Sequence, residues 1–227
     1  MSDSPDTAST PSTPSINVIP NGPLIVQGDV ALYRRHAVHS EHGEPLAWVT
    51  TDRLETRERT VLCRCGQSAT KPYCDATHRS IGFAADDVAA GTYDERSKEL
   101  GGTGITVRDD RSICVHAGFC GTRVTNVWKQ VGETDESTVR AQVIRMVENC
   151  PSGALVYELE GTTVEPLLPQ AIAVTDDGPL WVTGGVSVTT AAGPLEIRNR
   201  VTLCRCGASS NKPLCDGSHK EAGFTDR

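Results

Sequence analysis

Apolar residues in this chain occur in short runs bounded by glycine, proline or aspartate. Two runs, LETRERTVLC at residues 54–63 and LEIRNRVTLC at residues 195–204, read as β-strands that each end on a cysteine. Two earlier runs resemble each other in the same way, GPLIVQGDV at residues 22–30 and GPLWVTGGV at residues 178–186. The pattern predicts two copies of a small β-rich unit.

The two copies differ in length. The cysteine-bearing runs are 141 residues apart and the earlier runs 156, so the first copy contains an insertion of 15 residues. The sequence places this insertion in a polar loop around RRHAVHSEHGE, residues 34–44.

A different pattern lies between the copies. It contains a strand candidate in GITV at residues 104–107, a helix candidate in STVRAQVIRMVENC at residues 137–150 and a second strand candidate in ALVYELE at residues 154–160. This mixture of helix and strand predicts an inserted α+β module.

Composition narrows the function classes. The formal net charge of −7 argues against a nucleic-acid binder, which normally carries a basic surface. No apolar run approaches the ~20 residues of a membrane span, so no membrane contact is expected. Nine cysteines without a secretory signal predict a soluble protein in the reducing cytoplasm. Aromatic residues make up 4% of the chain, which predicts small apolar cores.

Each β-rich unit ends in a segment with three cysteines and one histidine: CRCGQSATKPYCDATH at residues 63–78 and CRCGASSNKPLCDGSH at residues 204–219. The first two cysteines are separated by one residue, so both can bind one metal. The third cysteine and the histidine are one helical turn apart and can bind a second metal. Two metals with two protein ligands each describe a 2Fe–2S cluster. The predicted ligands are Cys63, Cys65, Cys74 and His78 in the first copy, and Cys204, Cys206, Cys215 and His219 in the second.

A structural zinc bound by three cysteines and one histidine is the alternative at each site. Zinc-binding cysteine pairs normally have two to four residues between them, so a single intervening residue is tight and iron–sulfur is favoured.

Other polar residues in these segments have predicted roles. Asp75 and Asp216 stand where a helix N-cap would accept a backbone N–H. Four basic residues could offset the negative charge of a cluster, or could equally be surface charges: Arg64, Lys71, Arg205 and Lys212.

Both segments resemble the CDGSH iron–sulfur family, to which mitoNEET belongs, with its motif C-x-C-x2-[ST]-x3-P-x-C-D-G-[STA]-H. The second segment matches at every position, whereas the first has Ala76 in place of glycine. Because alanine tolerates positive φ less well, the first site is expected to be slightly strained. The resemblance implies a 2Fe–2S cluster at each site, and two units that pair through a shared β-rich region.

The middle segment contains CVHAGFC, which begins at Cys114, and CPSGAL, which begins at Cys150. Bacterial ferredoxins space their ligands C-x2-C-x2-C and place a distant cysteine before proline. Here Cys114 and Cys120 take the first and third positions, Ala117 takes the second, and Pro151 follows Cys150. The segment resembles a divergent single-cluster ferredoxin.

Cys114, Cys120 and Cys150 can hold a 3Fe–4S cluster, or a 4Fe–4S cluster whose fourth iron takes another ligand. Ala117 favours 3Fe–4S. His116 is a candidate fourth ligand, although it is one residue out of register and is otherwise a surface or supporting histidine. Zinc bound by the three cysteines is again the alternative.

The predicted fold class is therefore α+β: two β-rich CDGSH units paired around a β-rich region, with an inserted ferredoxin-like module. The predicted divisions are a disordered tail at residues 1–15, CDGSH units at 16–89 and 163–227, and the ferredoxin-like module at 90–162.

The predicted function is a non-enzymatic electron-transfer or redox module with two 2Fe–2S clusters and one 3Fe–4S or 4Fe–4S cluster. A cluster donor or redox or iron sensor is the alternative, and a zinc-stabilised scaffold is a further one. The predicted partner is a redox protein or an apo-acceptor. The chain is expected to be a monomer with intrachain pairing, or a homodimer.

Overall fold

The computed structural model describes residues 13–87 and 91–226. The first copy contains β1 (Ser15–Val18), β2 (Leu24–Gln27), β3 (Ala31–His39), β4 (Pro45–Leu54), β5 (Arg59–Leu62) and helix α1 (Thr77–Ser80). The middle segment contains helix α2 (Tyr93–Arg96), β6 (Lys98–Gly102), β7 (Ile105–Asp109), helices α3 (Val127–Gln130) and α4 (Ser137–Glu148), β8 (Leu155–Leu159) and β9 (Thr162–Val164). The second copy contains β10 (Ala171–Thr175), β11 (Leu180–Thr183), β12 (Ser187–Thr190), β13 (Gly193–Pro194) and β14 (Arg200–Leu203).

The two copies exchange strands. One sheet has the order β13-β12-β1-β2-β5 and the other has the order β14-β11-β10-β3-β4. In each sheet the join between copies is parallel, β1 on β12 in one and β10 on β3 in the other. Ser15 pairs with Ser187 in one sheet, and the corresponding residues of the other sheet, Ala171 and Ala31, pair in the same way. The second copy therefore completes the sheet of the first, and the first completes that of the second.

The core lies between these exchanged sheets and is larger than the low aromatic content predicts. Nineteen buried residues form one cluster, and Tyr93 is the one aromatic residue among them. Valine, leucine, isoleucine and one alanine supply the rest, many of them from alternating strand positions, as in the buried-every-second-residue pattern of β1. Branched aliphatic side chains fill a β-sandwich without aromatics, so the expectation of small cores is wrong.

The 15-residue insertion is an extended hairpin rather than a loop. β3 and β4 pair over most of their length, and the turn occupies residues 40–44. At its far end Trp48 stacks on Phe119 with ring centroids 4.9 Å apart, and its indole N–H donates to the carbonyl of Asn149 at 3.0 Å. The hairpin thus fastens the middle segment to the two copies.

The middle segment has its own sheet and its own small core. β6, β7, β8 and β9 form an antiparallel sheet in that order, and α4 packs against it through Val143, Met146 and Val147. The predicted helix and both predicted strands are confirmed to within a few residues. The α+β composition of this segment is observed, whereas its ferredoxin-like character remains a prediction.

Two predicted boundaries lie at or beyond the ends of the described residues. The disordered tail falls mostly on residues 1–12, which lie outside the described residues, and Ser15 already belongs to β1. The boundary at residues 89 and 90 also lies outside them. Among the described residues, no helix is long and apolar enough to span a membrane.

Candidate metal centres

The first site, defined as Cys63, Cys65, Cys74 and His78, has its side chains in two pairs. The sulfurs of Cys63 and Cys65 are 3.7 Å apart, and Cys74 Sγ lies 3.4 Å from His78 Nδ1. Nδ1 is therefore the ring nitrogen that faces the site.

The second site, defined as Cys204, Cys206, Cys215 and His219, has the same geometry. The Cys204 and Cys206 sulfurs are 3.7 Å apart, and Cys215 Sγ lies 3.4 Å from His219 Nδ1. The structure thus places each predicted ligand set in one loop, with the two predicted pairs in contact.

Backbone hydrogen bonds from the end of a strand fix both loops. Cys63 N–H donates to the carbonyl of Pro72 at 2.8 Å, and Cys204 N–H donates to that of Pro213 at 2.8 Å. Both prolines follow cis peptide bonds. The last strand of each copy therefore delivers its cysteine directly against the returning loop.

The pairs favour a binuclear cluster over a single zinc ion. A mononuclear zinc needs its ligands about 2.0–2.3 Å from one point, which brings all four donor atoms together. In the described part of the chain, no three His, Cys, Asp or Glu side chains converge in that way. Two separate pairs are the arrangement that two irons bridged by sulfide require.

An aspartate organises the turn that carries the histidine. Asp75 accepts the N–H of Thr77 at 3.0 Å and that of Ala69 at 2.8 Å, and Asp216 accepts the two equivalent bonds. Hydrogen bonds with Thr77 are the main reason that the pKa of Asp75 lies well below its ordinary value. The predicted N-cap is wrong by one residue, since Ala76 caps α1 and Asp75 stabilises the turn before it.

The departure from the CDGSH pattern at Ala76 has a packing explanation. Ala76 and Gly217 both adopt positive φ, 71° and 91°. At Gly217 an added β-carbon would come within 2.5 Å of His116 Cδ2, so the His116 ring would have to move to admit a larger residue. Ala76 is exposed, so its β-carbon costs only the backbone strain that the sequence predicts.

A buried arginine stands between the first two cysteines of each loop. In the second site Arg205 is 1% exposed and donates to the carbonyls of Gly178 at 2.9 Å and Thr175 at 2.7 Å. Its third contact is an ion pair with Asp226 at 2.7 Å. Arg205 therefore connects the metal loop to the turn between β10 and β11.

Arg64 binds the equivalent carbonyls in the first copy and forms an ion pair with Asp87. The surface-charge alternative is therefore wrong for both arginines. Lys71 and Lys212 instead donate to carbonyls within their own loops. Repetition of arginine at the same position in both copies was the sequence signal for this structural role.

The two metal loops meet back to back at the centre of the molecule. A β-carbon on Gly66 would lie 2.4 Å from the carbonyl oxygen of Cys206, and one on Gly207 would lie 2.8 Å from that of Cys65. Both glycines have positive φ, 78° and 83°. The first and second sites are therefore in backbone contact.

We expect Gly66→Ala to destabilise the junction of the two loops. The clash with the backbone at Cys206 should cost about 1–3 kcal/mol, in addition to about 1–2 kcal/mol for the left-handed backbone. Gly43→Ala is the matched control, because Gly43 has φ 81° and no atom within 4 Å of the added carbon. Chemical unfolding of the metal-loaded variants measures the difference. Equal free energies of unfolding for the two variants would show that the loops do not pack in this way.

The second site is more deeply buried than the first at its cysteine–histidine pair. Cys215 is 1% exposed and His219 is 7% exposed, whereas Cys74 and His78 are half-buried. Burial is the main cause that lowers the pKa of His219 to about 4. A neutral imidazole, the form that binds metal, is therefore maintained at the second site in mild acid.

The middle segment covers the cysteine–histidine pair of the second site. The ring of His116 lies against Gly217, the carbonyl of His116 accepts from Lys220 Nζ, and the carbonyl of Ser112 accepts from Asn211 Nδ2 at 3.1 Å. A groove of about 1030 Å³ runs beside the first site. The equivalent groove beside the second site is about 410 Å³, because the β3–β4 hairpin and the middle segment narrow it.

The central site, defined as Cys114, Cys120 and Cys150, lines a cavity of about 200 Å³. This volume is many times the roughly 15 Å³ that one water requires. Burial, followed by the charges of Cys150 and Cys114, raises the pKa of Cys120 to about 11, so the three thiols share one environment. His116 and Ala117 also line this cavity.

Partners from both copies hold Cys150 in place. Arg200 donates to the carbonyls of Val147 at 3.0 Å and Glu148 at 2.6 Å at the end of α4. The Trp48 indole binds the next carbonyl, that of Asn149. These contacts satisfy carbonyl groups that the helix end leaves free, and the sequence patterns did not reveal them.

Comparison with protein families agrees with this geometry. A family described as "Iron-binding zinc finger CDGSH type" matches residues 21–79 and 177–220. A second family, described as "Divergent 4Fe-4S mono-cluster", matches residues 100–160. Two CDGSH-type regions therefore flank a divergent mono-cluster region in this chain. A search of curated proteins found no match.

The CDGSH resemblance inferred from the sequence is thus confirmed, and the chain is an iron–sulfur-binding protein. The first CDGSH-type region ends at residue 79 and contains the first site, and the second region contains the second site. The mono-cluster region contains Cys114, Cys120 and Cys150.

Proposed function

We propose that this CDGSH-type protein is an electron-transfer module with three clusters in a row. Each CDGSH-type site would hold a 2Fe–2S cluster, and the central site would hold a 4Fe–4S cluster. The order of contacts carries the proposal: Gly66 and Gly207 join the first site to the second through backbone, and Gly217 lies against the His116 ring and the Cys114 carbonyl of the central site.

Electrostatic coupling between neighbouring sites supports this arrangement. Burial is the main cause that raises the pKa of Cys215 to about 12, and the charge of Cys114 in the central site adds to it. The Cys114 carbonyl also lies 3.5 Å from a β-carbon built on Gly217, two residues after Cys215. Because electron transfer slows steeply with distance, adjacent clusters of this kind form an efficient path.

In this path the second site lies between the first site and the central site. Its cysteine–histidine pair is covered, so it exchanges electrons with the two neighbouring sites rather than with an external protein. The first site, whose cysteine–histidine pair is only half-buried, would accept a redox partner in the groove beside Cys74 and His78. Since strand exchange already pairs the copies within one chain, we propose a monomer.

The chemical test of the proposal is the metal content. Freshly and anaerobically purified protein should contain iron and acid-labile sulfide, with two spectroscopically distinct cluster types. Stoichiometric zinc without sulfide would instead identify a zinc-stabilised scaffold and end the proposal.

The spatial test uses Cys120→Ser, which should remove the central cluster. We expect the EPR signal of the reduced second cluster to lose the broadening caused by its paramagnetic neighbour, while the signal of the first cluster stays the same. The middle segment contacts the second loop at Gly217, whereas the first loop contacts it at Cys206, so the effect should be confined to one cluster. Unchanged signals for both clusters would contradict the row.

Exposure of the first site favours a second candidate function, donation of its cluster to an apo-acceptor. Its cysteine–histidine pair is half-buried beside an open groove, whereas the same pair of the second site is buried. A chelator and an acceptor protein can reach the first pair directly.

We therefore expect the first cluster to be lost several-fold faster than the second during anaerobic incubation with a chelator or an apo-ferredoxin. Absorption and EPR spectra taken through the reaction measure the two losses separately. Release of both clusters at one rate would show that the middle segment does not protect the second site.

A further inference from the structure

Asp109 is a buried acid on an otherwise apolar strand face. It ends β7, whose inward positions are Ile105, Val107 and Asp109, with exposed fractions of 3%, 0% and 8%. The two apolar residues belong to the core between the sheet and α4. Asp109 lies at the end of the strand where that core gives way to the central cavity, and it forms part of the cavity wall.

One oxygen of this carboxylate has no partner. Oδ2 accepts the indole N–H of Trp128 at 2.8 Å, whereas Oδ1 is buried without a hydrogen bond. None of the ion pairs in the described part of the chain includes Asp109. Among the described residues of the cavity wall, no other side chain has an unsatisfied buried polar atom. Buried carboxylates are normally paired with a cation or bound to a metal.

The adjacent acid shows what a structural role would look like here. Asp110 is 1% exposed, but its carboxylate pairs with Arg96 at 2.9 Å and accepts from the Ser112 N–H at 3.0 Å and the Ser112 hydroxyl at 2.6 Å. All of its contacts are internal to the protein. Asp109 accepts from the Trp128 indole but forms no ion pair in the described part of the chain, and it shares its cavity with three thiols.

His116, the fourth ligand suggested by the sequence, is less suited to this cavity. It is exposed, it has φ 54°, and its ring packs against Gly217 of the second site. His116 lies between the second site and the central site, and its exposed ring is not a buried ligand for the central site.

We propose that Asp109 is the fourth ligand of the central cluster. This inference rests on the proposed function, because it requires a four-iron cluster on Cys114, Cys120 and Cys150. Oδ1 donates a lone pair to the fourth iron and displaces a water or hydroxide, so no electron is transferred. A carboxylate is a harder ligand than a thiolate, so this iron should exchange more readily than the other three.

The test compares Asp109→Asn with two controls in the metal-loaded, anaerobically purified protein. Asp109→Asn keeps an oxygen that can accept from Trp128 but removes the charged ligand. Asp110→Asn removes the neighbouring charge, and Trp128→Phe removes the hydrogen bond to Asp109 while keeping a ring. Mössbauer and EPR spectra of the oxidised proteins count the irons of the central cluster.

We expect the parent and both controls to show a four-iron pattern, and Asp109→Asn to show the EPR signal of an oxidised 3Fe–4S cluster. His116→Ala should retain four irons. A four-iron cluster in Asp109→Asn, or its loss in His116→Ala alone, would overturn the assignment of Asp109. A parent whose central cluster already has three irons would overturn it as well.

The result that would refute the proposed function differs from the result that would refute the Asp109 ligand. A parent protein without sulfide refutes iron–sulfur clusters altogether, whereas four irons in Asp109→Asn refute this ligand and leave the electron-transfer proposal intact.

Discussion

We expect His219→Cys to lower the reduction potential of the second cluster toward the roughly −400 mV of plant-type ferredoxins. Replacing neutral imidazole by thiolate makes the cluster one unit more negative, so adding an electron is more costly. Two histidines on one iron take Rieske centres to roughly −150 to +300 mV, which shows the size of the ligand effect. Redox titration followed by EPR measures the change.

His78→Cys should lower the potential of the first cluster in the same way. It should also flatten the dependence of that potential on pH, because an imidazole whose second nitrogen reaches solvent can take up a proton on reduction. At the second site the burial of His219 disfavours such a proton, so the parent dependence on pH should be weaker there. Each variant is the control for the other, since each should shift only its own cluster.

Slower cluster loss in mild acid should accompany His78→Cys, because protonation of a ligating imidazole nitrogen releases the iron. At the second site the effect should appear only in stronger acid, since burial keeps His219 neutral in mild acid. Variants that keep the parent potentials and bleach as fast as the parent at the corresponding acidity would show that these histidines are not ligands.

Asp226→Ala should destabilise the protein by about 3–5 kcal/mol, the cost of leaving a buried charge without its partner. Both side chains of the Arg205–Asp226 pair are fully buried, and Asp226 also accepts from Arg34 at 3.0 Å. Asp94→Ala is the control: Asp94 pairs with Arg108 at 2.8 Å, but its side chain is 76% exposed. Exposed pairs contribute about 0–1 kcal/mol. Chemical unfolding of both metal-loaded variants gives the comparison.

This destabilisation should depend on pH in a defined direction. Contacts with Arg205 keep the pKa of Asp226 below its ordinary value in the folded protein, despite the opposing effect of burial. The carboxylate therefore stabilises the fold above its unfolded pKa of about 3.9, and this contribution is lost as pH falls further. The gap between parent and Asp226→Ala should narrow below about pH 4. A gap that is constant across this range would mean that the charge of Asp226 is not the source of the effect.

Much of each metal loop could be predicted from sequence because its ligands lie close together in the chain. One residue between Cys63 and Cys65, and four positions from Cys74 to His78, limit each pair to a single metal whatever the rest of the fold. The positive φ at Ala76 followed from the same local reasoning. Helix α4 and strands β7 and β8 were also predictable, since periodicity is a property of neighbouring residues.

Other features were hidden because they depend on contacts between distant residues. The sequence predicted a polar loop for the insertion, yet it extends strand β3, which pairs with β10 of the other copy, and Trp48 contacts the middle segment. From sequence, Arg64 and Arg205 could equally offset cluster charge or lie on the surface, but each donates to carbonyls of a turn more than twenty residues away. The sequence does not show that a charged residue is buried when its hydrogen-bond partners are distant in the chain.

The sequence by itself determined the repeat and predicted the three candidate ligand sets and the type of chemistry, since covalent spacing sets which side chains can share a metal. Only the tertiary structure decided which candidate sites contact one another, the unequal exposure of His78 and His219, and the position of Asp109 in the wall of the central cavity. These features arise from parallel pairing between β1 and β12 and from packing of the middle segment on the second copy. Such contacts join residues far apart in the chain, and spacing alone does not encode their distance.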